Sequence, residues 1–255
     1  MNFMTAFHTD VGIRKKTNQD SFLIHQAQTD AGNVILSVIC DGMGGLAKGE
    51  VASACMIHAF SDWFHQELPQ MISEGLQPEA LRPSWENVVS NVNQRIVNYS
   101  VQNGVTMGTT CVALLIVNDV YYIMNIGDSR IYLISDNIYQ LTKDQTYVQR
   151  EMDAGRMTYE QSLTDPQRSV LLQCVGASPV IEPDFFVGNS EINQCFMLCC
   201  DGFRHVISAK EFFDTLNPNV NRDPETMRTN LFNLTELNKQ RRENDNITAV
   251  LIRTY

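Results

Sequence analysis

Aspartates at the ends of apolar segments constrain this chain more than any other feature. Asp41, Asp128 and Asp201 each close a β-prone apolar run, and each has a glycine as its neighbour. Because glycine lets the backbone turn sharply, a strand that ends in this way presents a carboxylate at the edge of a sheet. Three such ends that converge in one fold, joined by Asp245 near the C-terminus, form a pocket rich in oxygen ligands.

An oxygen-rich pocket of this kind predicts a divalent metal ion. Clustered carboxylates repel one another unless a cation neutralises them, and Mg²⁺ and Mn²⁺ are hard cations that favour such ligands. The adjacent Gly44 and Gly45 do not indicate a nucleotide-binding loop, because the segment lacks both a GxGxxG pattern and a Walker lysine. We expect these glycines to let the backbone approach the hydration shell of the metal.

Length and composition indicate a single domain. The chain has 255 residues, 44% of them hydrophobic, and shows no clear linker, so we predict one domain over residues 1–255. The net charge of -10 argues against a nucleic-acid partner, because phosphate binding needs clustered Lys and Arg. A membrane partner is also not expected. No apolar run approaches the roughly 20 residues of a membrane-spanning helix, and the N-terminus lacks the regions of a signal peptide.

The cysteines indicate a reducing compartment. There are seven of them, most lie inside apolar segments, and no CxxC pair occurs. We interpret them as buried thiols of a cytoplasmic protein rather than as disulfides or zinc ligands. Cys40 and Cys200 each precede a key aspartate directly, so we expect each thiol on the opposite side of its strand from that carboxylate.

The order of the predicted elements favours an α+β layered fold. Groups of strands bracket pairs of helices, without the regular alternation of a parallel βαβ sheet. The short connections at 118–119 and 135–137 predict antiparallel hairpins. The predicted strands are 3–8, 21–27, 34–40, 109–117, 120–126, 131–134, 138–141, 182–187, 195–200 and 247–253, and the predicted helices are 49–67, 84–102, 208–216 and 224–242.

Seven ordered motifs give the chain a specific resemblance to the metal-dependent protein serine/threonine phosphatases, the protein phosphatase 2C family, in their compact bacterial form. One Asp-Gly pair is weak evidence, but these blocks keep the order and spacing of the family over essentially the whole chain. The blocks are TDVG at 9–12 through NQDS at 18–21, DGMGG at 41–45, GTT at 108–110, GDSR at 127–130, LTKD at 141–144, DGF at 201–203 and DNIT at 245–248.

The resemblance implies a four-layer α-β-β-α sandwich with two central antiparallel sheets. It also implies a centre of two Mg²⁺ or Mn²⁺ ions at one end of the sandwich. Carried over by position, Asp41 bridges both ions and the carbonyl of Gly42 contributes to one of them, while Asp201 and Asp245 hold the other. Asp20 is expected to accept hydrogen bonds from metal-bound water.

The resemblance also suggests a third, weaker metal ion. Asp128 matches the aspartate that helps to bind this ion in bacterial members. The alternative is a hairpin-turn aspartate paired with Arg130, and the two interpretations are compatible.

The substrate phosphate requires a cation, and two residues compete for this role. The family usually has an arginine three residues after the glycine of the first block, where this chain has Lys15, with Arg14 one position earlier. We expect Arg14 to bind phosphate, because arginine offers a bidentate fork. Lys15 is the competitor, and a solvated basic turn is the third possibility.

Two further positions differ from the family pattern. Met43 stands where animal members often have a histidine suited to act as a general acid, and Gln145 replaces another histidine. Neither change affects a predicted metal ligand. Residues 145–179 resemble the flap beside the active site that influences substrate choice.

The function that the resemblance implies is hydrolysis of phosphoserine and phosphothreonine on proteins, by direct attack of a metal-bridging hydroxide. The expected partners are phosphoproteins of a serine/threonine kinase, and the expected state is a monomer. A catalytically degenerate binding module is the alternative, disfavoured because Asp41, Asp201 and Asp245 are all present. A metal nuclease is disfavoured because the chain is acidic and lacks a basic stripe.

Overall fold

Two five-stranded antiparallel sheets form the centre of the molecule. The computed structural model describes residues 1–30, 32–43 and 48–255. The strands are β1 (Phe3–Asp10), β2 (Ser21–Thr29), β3 (Gly32–Cys40), β4 (Gly42–Met43), β5 (Gly108–Thr109), β6 (Cys111–Val117), β7 (Val120–Ile126), β8 (Arg130–Ile134), β9 (Ile138–Gln140), β10 (Asp184–Asn189), β11 (Cys195–Cys199) and β12 (Ile247–Thr254). The helices are α1 (Gly49–Gln66), α2 (Leu68–Ser73), α3 (Pro78–Asn103), α4 (Tyr147–Asp153), α5 (Tyr159–Thr164), α6 (Asp201–Arg204), α7 (Ala209–Leu216) and α8 (Pro224–Gln240).

Each of the two five-stranded sheets combines strands that are distant in the sequence. The first sheet has the order β1-β12-β11-β8-β9, and the second has the order β10-β7-β6-β3-β2. All neighbouring pairs in these sheets are antiparallel, including the β6–β7 and β8–β9 hairpins that the short connections predicted. The predicted α+β class with two antiparallel sheets is therefore confirmed.

Alternating side chains of the central strands belong to two hydrophobic cores. On β3, Ile35 and Ile39 lie in the core that contains β11 and β12, whereas Leu36 and Val38 lie in the core that contains α1 and α3. Successive side chains of a strand point to opposite faces, so a strand buried on both faces is apolar throughout. The burial of both faces of β3 and β6 gives the molecule its helix-sheet-sheet-helix order.

Aromatic and aliphatic side chains pack each helical layer against the adjacent sheet. Trp63 of α1 and Trp85 of α3 contact edge to face, with ring centroids 5.6 Å apart. On the other side of the molecule, Phe212 of α7 and Leu231 of α8 are buried against the first sheet. Burial of side chains of this size contributes about 2–3 kcal/mol each to stability.

Helix α3 begins earlier than the sequence predicts. The predicted start was residue 84, directly after Pro83, but the helix starts at Pro78 and includes Pro83. Pro78 is well suited to the first helical position, because its fixed φ favours the helix and its missing N–H needs no partner there. Pro83 removes one intrahelical hydrogen bond near the N-terminus, and the fully buried Leu81 and Trp85 on either side hold this turn in place.

Candidate metal centre

The register of the second sheet places Asp20 beside Asp41. Ser21 of β2 pairs with Cys40 of β3, so the next residues outward, Asp20 and Asp41, leave the sheet at the same edge. Strand β11 of the other sheet ends at this point too, and it is followed by Cys200. Ligand atoms of Asp20, Asp41 and Cys200 all lie within 4.8 Å of one another.

Asp201 and Asp245 extend the acidic wall. Both line a cleft of about 1250 Å³ together with Asp41 and Gly42. Asp201 is the first residue of α6, and Asp245 lies in the turn before β12. A Cβ on Gly202 would lie only 2.1 Å from the carbonyl oxygen of Asn246, so only glycine lets α6 approach this turn. The predicted ligands Asp41, Gly42, Asp201 and Asp245 are thus brought together, with Asp20 beside them.

Asp20, Asp41 and Asp201, which we call the acidic cluster, are half-buried and close enough for their charges to act on one another. Burial, and then the charges of Asp20, Asp201 and Asp128, raise the pKa of Asp41 well above its ordinary value. Burial and the charges of Asp201 and Asp245 raise the pKa of Asp20 to about 7, although polar groups of Thr248 and Cys200 oppose the shift. This is the electrostatic signature of carboxylates crowded into a site of low polarity.

Unpaired oxygens show what kind of group would fit the cluster. Neither carboxylate oxygen of Asp20, nor Oδ1 of Asp201, has a hydrogen-bond partner among the described residues, although all three atoms are buried. A buried charged oxygen without a partner carries a desolvation cost of several kcal/mol. A hard divalent cation removes both this cost and the mutual repulsion, so these residues fit Mg²⁺ or Mn²⁺.

Backbone contacts fix the position of Asp41. Its N–H donates to Oγ1 of Thr110 at 3.0 Å, and its carbonyl accepts from Oγ1 of Thr109 at 3.0 Å and from the N–H of Thr110 at 2.9 Å. The GTT block at 108–110 therefore holds the backbone of this aspartate. Gly44 and Gly45, expected near the metal hydration shell, lie outside the described residues.

Asn246 joins the strand ends from behind the cluster. Its Oδ1 accepts from the N–H of Gln19 at 2.9 Å, and its Nδ2 donates to the carbonyls of Val11 at 2.9 Å and Thr17 at 3.2 Å. The side chain thus bonds to backbone groups of the β1–β2 connection, which is typical of a turn residue rather than of a metal ligand. Its role as a clamp on the β1–β2 connection was not evident from the sequence.

The basic turn directs Lys15, not Arg14, into the cleft. Lys15 Nζ lies 2.6 Å from Oδ1 of Asp245 and lines the cleft, whereas Arg14 is exposed and is not among the lining residues. Burial lowers the pKa of Lys15, but the hydrogen bond to Asp245 and the charges of Asp41 and Asp201 raise it above its ordinary value. The turn follows Gly12, whose φ of 77° lies in the left-handed region. Arg14 thus does not join the predicted site.

Asp128 is paired with an arginine that the sequence analysis did not consider. Its Oδ2 lies 3.2 Å from Nη2 of Arg204, while Arg130 forms its ion pair with Asp144 instead. The predicted Asp128–Arg130 pair is therefore not found. Burial and the charge of Asp201 raise the pKa of Asp128 to about 7, and Arg204 opposes this shift.

Two residues near Asp201, His205 and Cys200, have surroundings that the sequence did not predict. His205 lies between two acids, with its Nε2 3.4 Å from Asp201 and its Nδ1 3.4 Å from Glu243. Cys200 was expected to face away from the acids, but its thiol points to Asp20 and Asp41. The strand ends at Cys199, so its alternation of faces no longer applies to Cys200. Helical spacing of three and four residues from Asp201 was the available signal for Arg204 and His205.

Gln145 anchors the flap to the core. Its backbone N–H donates to the carbonyl of Gly127 at 2.9 Å, and its Oε1 accepts from the N–H of Gly127 at 2.9 Å. After α5, the N–H of Leu172 donates to the carbonyl of Gln145 at 2.8 Å, and Nε2 of Gln173 donates to its Oε1 at 2.9 Å. Gln145, which precedes α4, is thus hydrogen-bonded to two residues that follow α5.

Comparison with known proteins gives consistent results. The family model described as protein phosphatase 2C matches residues 11–236. The serine/threonine phosphatase stp of Listeria welshimeri is 29% identical over 252 residues, which is 96% of this chain and 94% of that protein.

Solved structures share the fold over its full length. The serine/threonine phosphatase of S. agalactiae superposes with a TM-score of 0.85 at 27% identity, covering 100% of both chains. The catalytic domain of the serine/threonine protein phosphatase PstP, solved in complex with two manganese ions, superposes with a TM-score of 0.78 at 28% identity, covering 98% of this chain and 97% of that one.

Proposed function

The chain belongs to the protein phosphatase 2C family and is a metal-dependent protein serine/threonine phosphatase, and from this premise we propose that the cleft around Asp41 is its catalytic centre. In this proposal Asp41, the carbonyl of Gly42, Asp201 and Asp245 hold two divalent ions. When bound, such ions neutralise phosphate oxygens and lower the pKa of water, so that hydroxide is available for in-line attack on phosphorus.

The observation that carries this assignment is the set of buried carboxylate oxygens without partners. Both oxygens of Asp20 and Oδ1 of Asp201 are in this state within the part of the chain described. In a protein that does not bind cations, such an arrangement only destabilises the fold. Such an arrangement of carboxylate oxygens is expected where a cation that the reaction requires removes the energetic cost.

Two protein groups have separate roles toward the substrate. Lys15 provides a positive charge at the cleft wall, next to Asp245, and we assign it to binding of the phosphate. A lysine acts as a point charge rather than as a fork, so it tolerates small changes in the orientation of the phosphate. Asp20 presents two free carboxylate oxygens, which accept hydrogen bonds from the attacking water and hold a proton that it releases.

The remainder of the cleft suits a peptide. Beyond the acidic cluster it extends between the flap and the helices α6 and α7, where Tyr159 and Leu163 line it. These two side chains are 66% and 54% exposed, so they are available to a substrate. We assign them to contacts with residues that flank the phosphorylated side chain.

Substrates and surroundings follow from the family and from the chain itself. The substrates are phosphoproteins, and we assign their phosphorylation to a serine/threonine kinase. Mn²⁺ is our preferred ion, with PstP as the precedent.

We also assign the enzyme to the cytoplasm, because all seven cysteines are free thiols. Within the described part of the chain, no helix combines the length and apolarity needed to cross a bilayer. The monomeric state and the single domain over 1–255 stay predictions.

The decisive experiment compares two aspartate variants. We expect Asp201→Ala to lower the hydrolysis of a phosphothreonine peptide by more than about 100-fold, because loss of even an outer-shell group near a metal costs 10–100-fold. Mn²⁺ binding, measured by calorimetry, should weaken in parallel. Asp136→Ala, in an exposed hairpin turn, is the matched control and should act like the unchanged enzyme. Full activity of Asp201→Ala, or equal activity in Mn²⁺ and EDTA, contradicts the assignment.

A further inference from the structure

The neighbourhood of Asp128 has a different charge balance from the rest of the cleft. When both carboxyl groups are ionised, the negative charges of Asp128 and Asp144 balance the positive charges of Arg130 and Arg204. The side chains of Asp128, Asp144 and Arg204 are only 10%, 9% and 11% exposed. These four residues, which we call the arginine–aspartate quartet, are therefore neutral as a group without any ion from solution.

Arg204 binds two oxygen atoms of Asp128, namely the carbonyl oxygen and one of the two carboxylate oxygens. Its Nη2 donates to the carbonyl oxygen of Asp128 at 2.9 Å and to Oδ2 of the same residue at 3.2 Å. It also lies 3.4 Å from Oδ2 of Asp144. The other guanidinium, of Arg130, binds Asp144 through two parallel hydrogen bonds of 2.7 and 2.6 Å. Both carboxylates of the quartet are thus already engaged.

Building on the proposed catalytic centre, we propose that Arg204 is an internal cation that takes the place of a third metal ion at Asp128. The residues around Asp128 do not fit a divalent ion in addition to those at the acidic cluster. Such an ion would lie in contact with a guanidinium of the same charge sign. Its entry would also leave Arg204 buried without its main partner, which is strongly unfavourable.

Arg204 also brings its positive charge close to the acidic cluster, because it belongs to the same helix as Asp201. Arg204 lies three residues after Asp201 on the same short helix, α6, so the two side chains project from neighbouring points on one face. Its positive charge also acts on Asp201 across this distance. Unlike a weakly bound ion, it is present at every metal concentration. We therefore assign Arg204 as a positioning residue that fixes Asp128 and the start of α6.

The test is a count of bound Mn²⁺ by calorimetry and by equilibrium dialysis with metal analysis. The proteins compared are the unmodified enzyme, Asp128→Asn, Arg204→Gln and the double variant. We expect Asp128→Asn to bind as many ions as the unmodified enzyme. We expect Arg204→Gln to bind one more ion, and the double variant to lose it again. Arg204→Lys keeps the charge and should not gain the ion.

Two results overturn the proposal. One is loss of an ion in Asp128→Asn, and the other is a folded Arg204→Gln that gains none. If Arg204→Gln fails to fold by circular dichroism, anomalous scattering from Mn²⁺-soaked crystals of the unmodified enzyme decides: a manganese peak at the Asp128 carboxylate refutes the proposal, and its absence beside occupied sites at Asp41 supports it. Because each comparison is a difference between matched proteins, failure of the main centre is recognised separately, as loss of all Mn²⁺ binding.

Discussion

Two groups of carboxylates with buried oxygen atoms line the same cleft, and they differ in the hydrogen-bond partners that balance their negative charge. In the acidic cluster, Asp20, Asp41 and Asp201 crowd together, and three of their oxygens have no partner among the described residues. In the arginine–aspartate quartet, the two carboxylates are matched by guanidinium groups of the chain itself. Burial of acids therefore does not by itself indicate a metal site. Buried carboxylate oxygens that lack a hydrogen-bond partner among the described residues are the stronger indication.

The largest expected effect comes from breaking the compensated region. Asp144→Asn leaves Arg130 and Arg204 without their shared partner, and we expect it to lower the free energy of unfolding by about 3–5 kcal/mol. Asp153→Asn is the matched control, because its pair with Lys143 is 42% and 57% exposed on the two sides and should contribute less than about 1 kcal/mol. Urea denaturation in the presence of Mn²⁺ measures both. Equal effects of the two variants would show that the quartet is not a structural unit.

The next effect concerns the uncompensated region and depends on pH. The pKa of Asp20 in the folded protein is about 7, above its ordinary value of 3.8, so between these values the folded state binds the more protons. Stability in EDTA should therefore fall as pH rises from about 4 to above 7, by an amount on the order of a few kcal/mol.

Urea denaturation at pH 5 and pH 8 tests this expectation. Asp20→Asn is the control: removal of the titrating carboxyl should reduce the difference between the two pH values, and saturating Mn²⁺ should reduce it in the unmodified enzyme. An identical pH dependence in Asp20→Asn and the unmodified enzyme, both in EDTA, would contradict the assigned role of this carboxylate.

The smallest effect separates Arg14 from Lys15, two of the three basic residues of the turn. We expect Lys15→Met to lower kcat/KM for a phosphothreonine peptide about tenfold, a loss of about 1.4 kcal/mol, because it removes a cation that lines the cleft next to Asp245. Arg14→Met should leave kcat/KM nearly unchanged, since Arg14 is exposed outside the cleft. Steady-state kinetics with Mn²⁺ measures both variants. The reverse order would restore Arg14 as the phosphate ligand.

Local patterns predicted the α+β class and the strand ends at Asp41 and Asp201, whereas the four-layer order and the role of Asp20 came from the family resemblance. Apolar runs such as 34–40 read as strands, and strand ends at Asp41 and Asp201 position their carboxylates without further information. The residues that the sequence misjudged depend on long-range geometry. Lys15 rather than Arg14 lines the cleft, where it pairs with Asp245 from the other end of the chain. Nor could spacing alone reveal that Asp128 pairs with Arg204, 76 positions away.

The anchoring of the flap by Gln145 has a consequence for how this enzyme can diverge. Because Gln145 at the start of the flap is hydrogen-bonded to Leu172 and Gln173 within it, residues 146–171 form a loop whose two ends are held together. The entropy of closing a loop grows only slowly with its length, so that doubling it costs only about 0.6 kcal/mol. Insertions and deletions between residues 146 and 171 should therefore be tolerated, which allows new substrate preferences to arise while the chemistry of the centre stays unchanged.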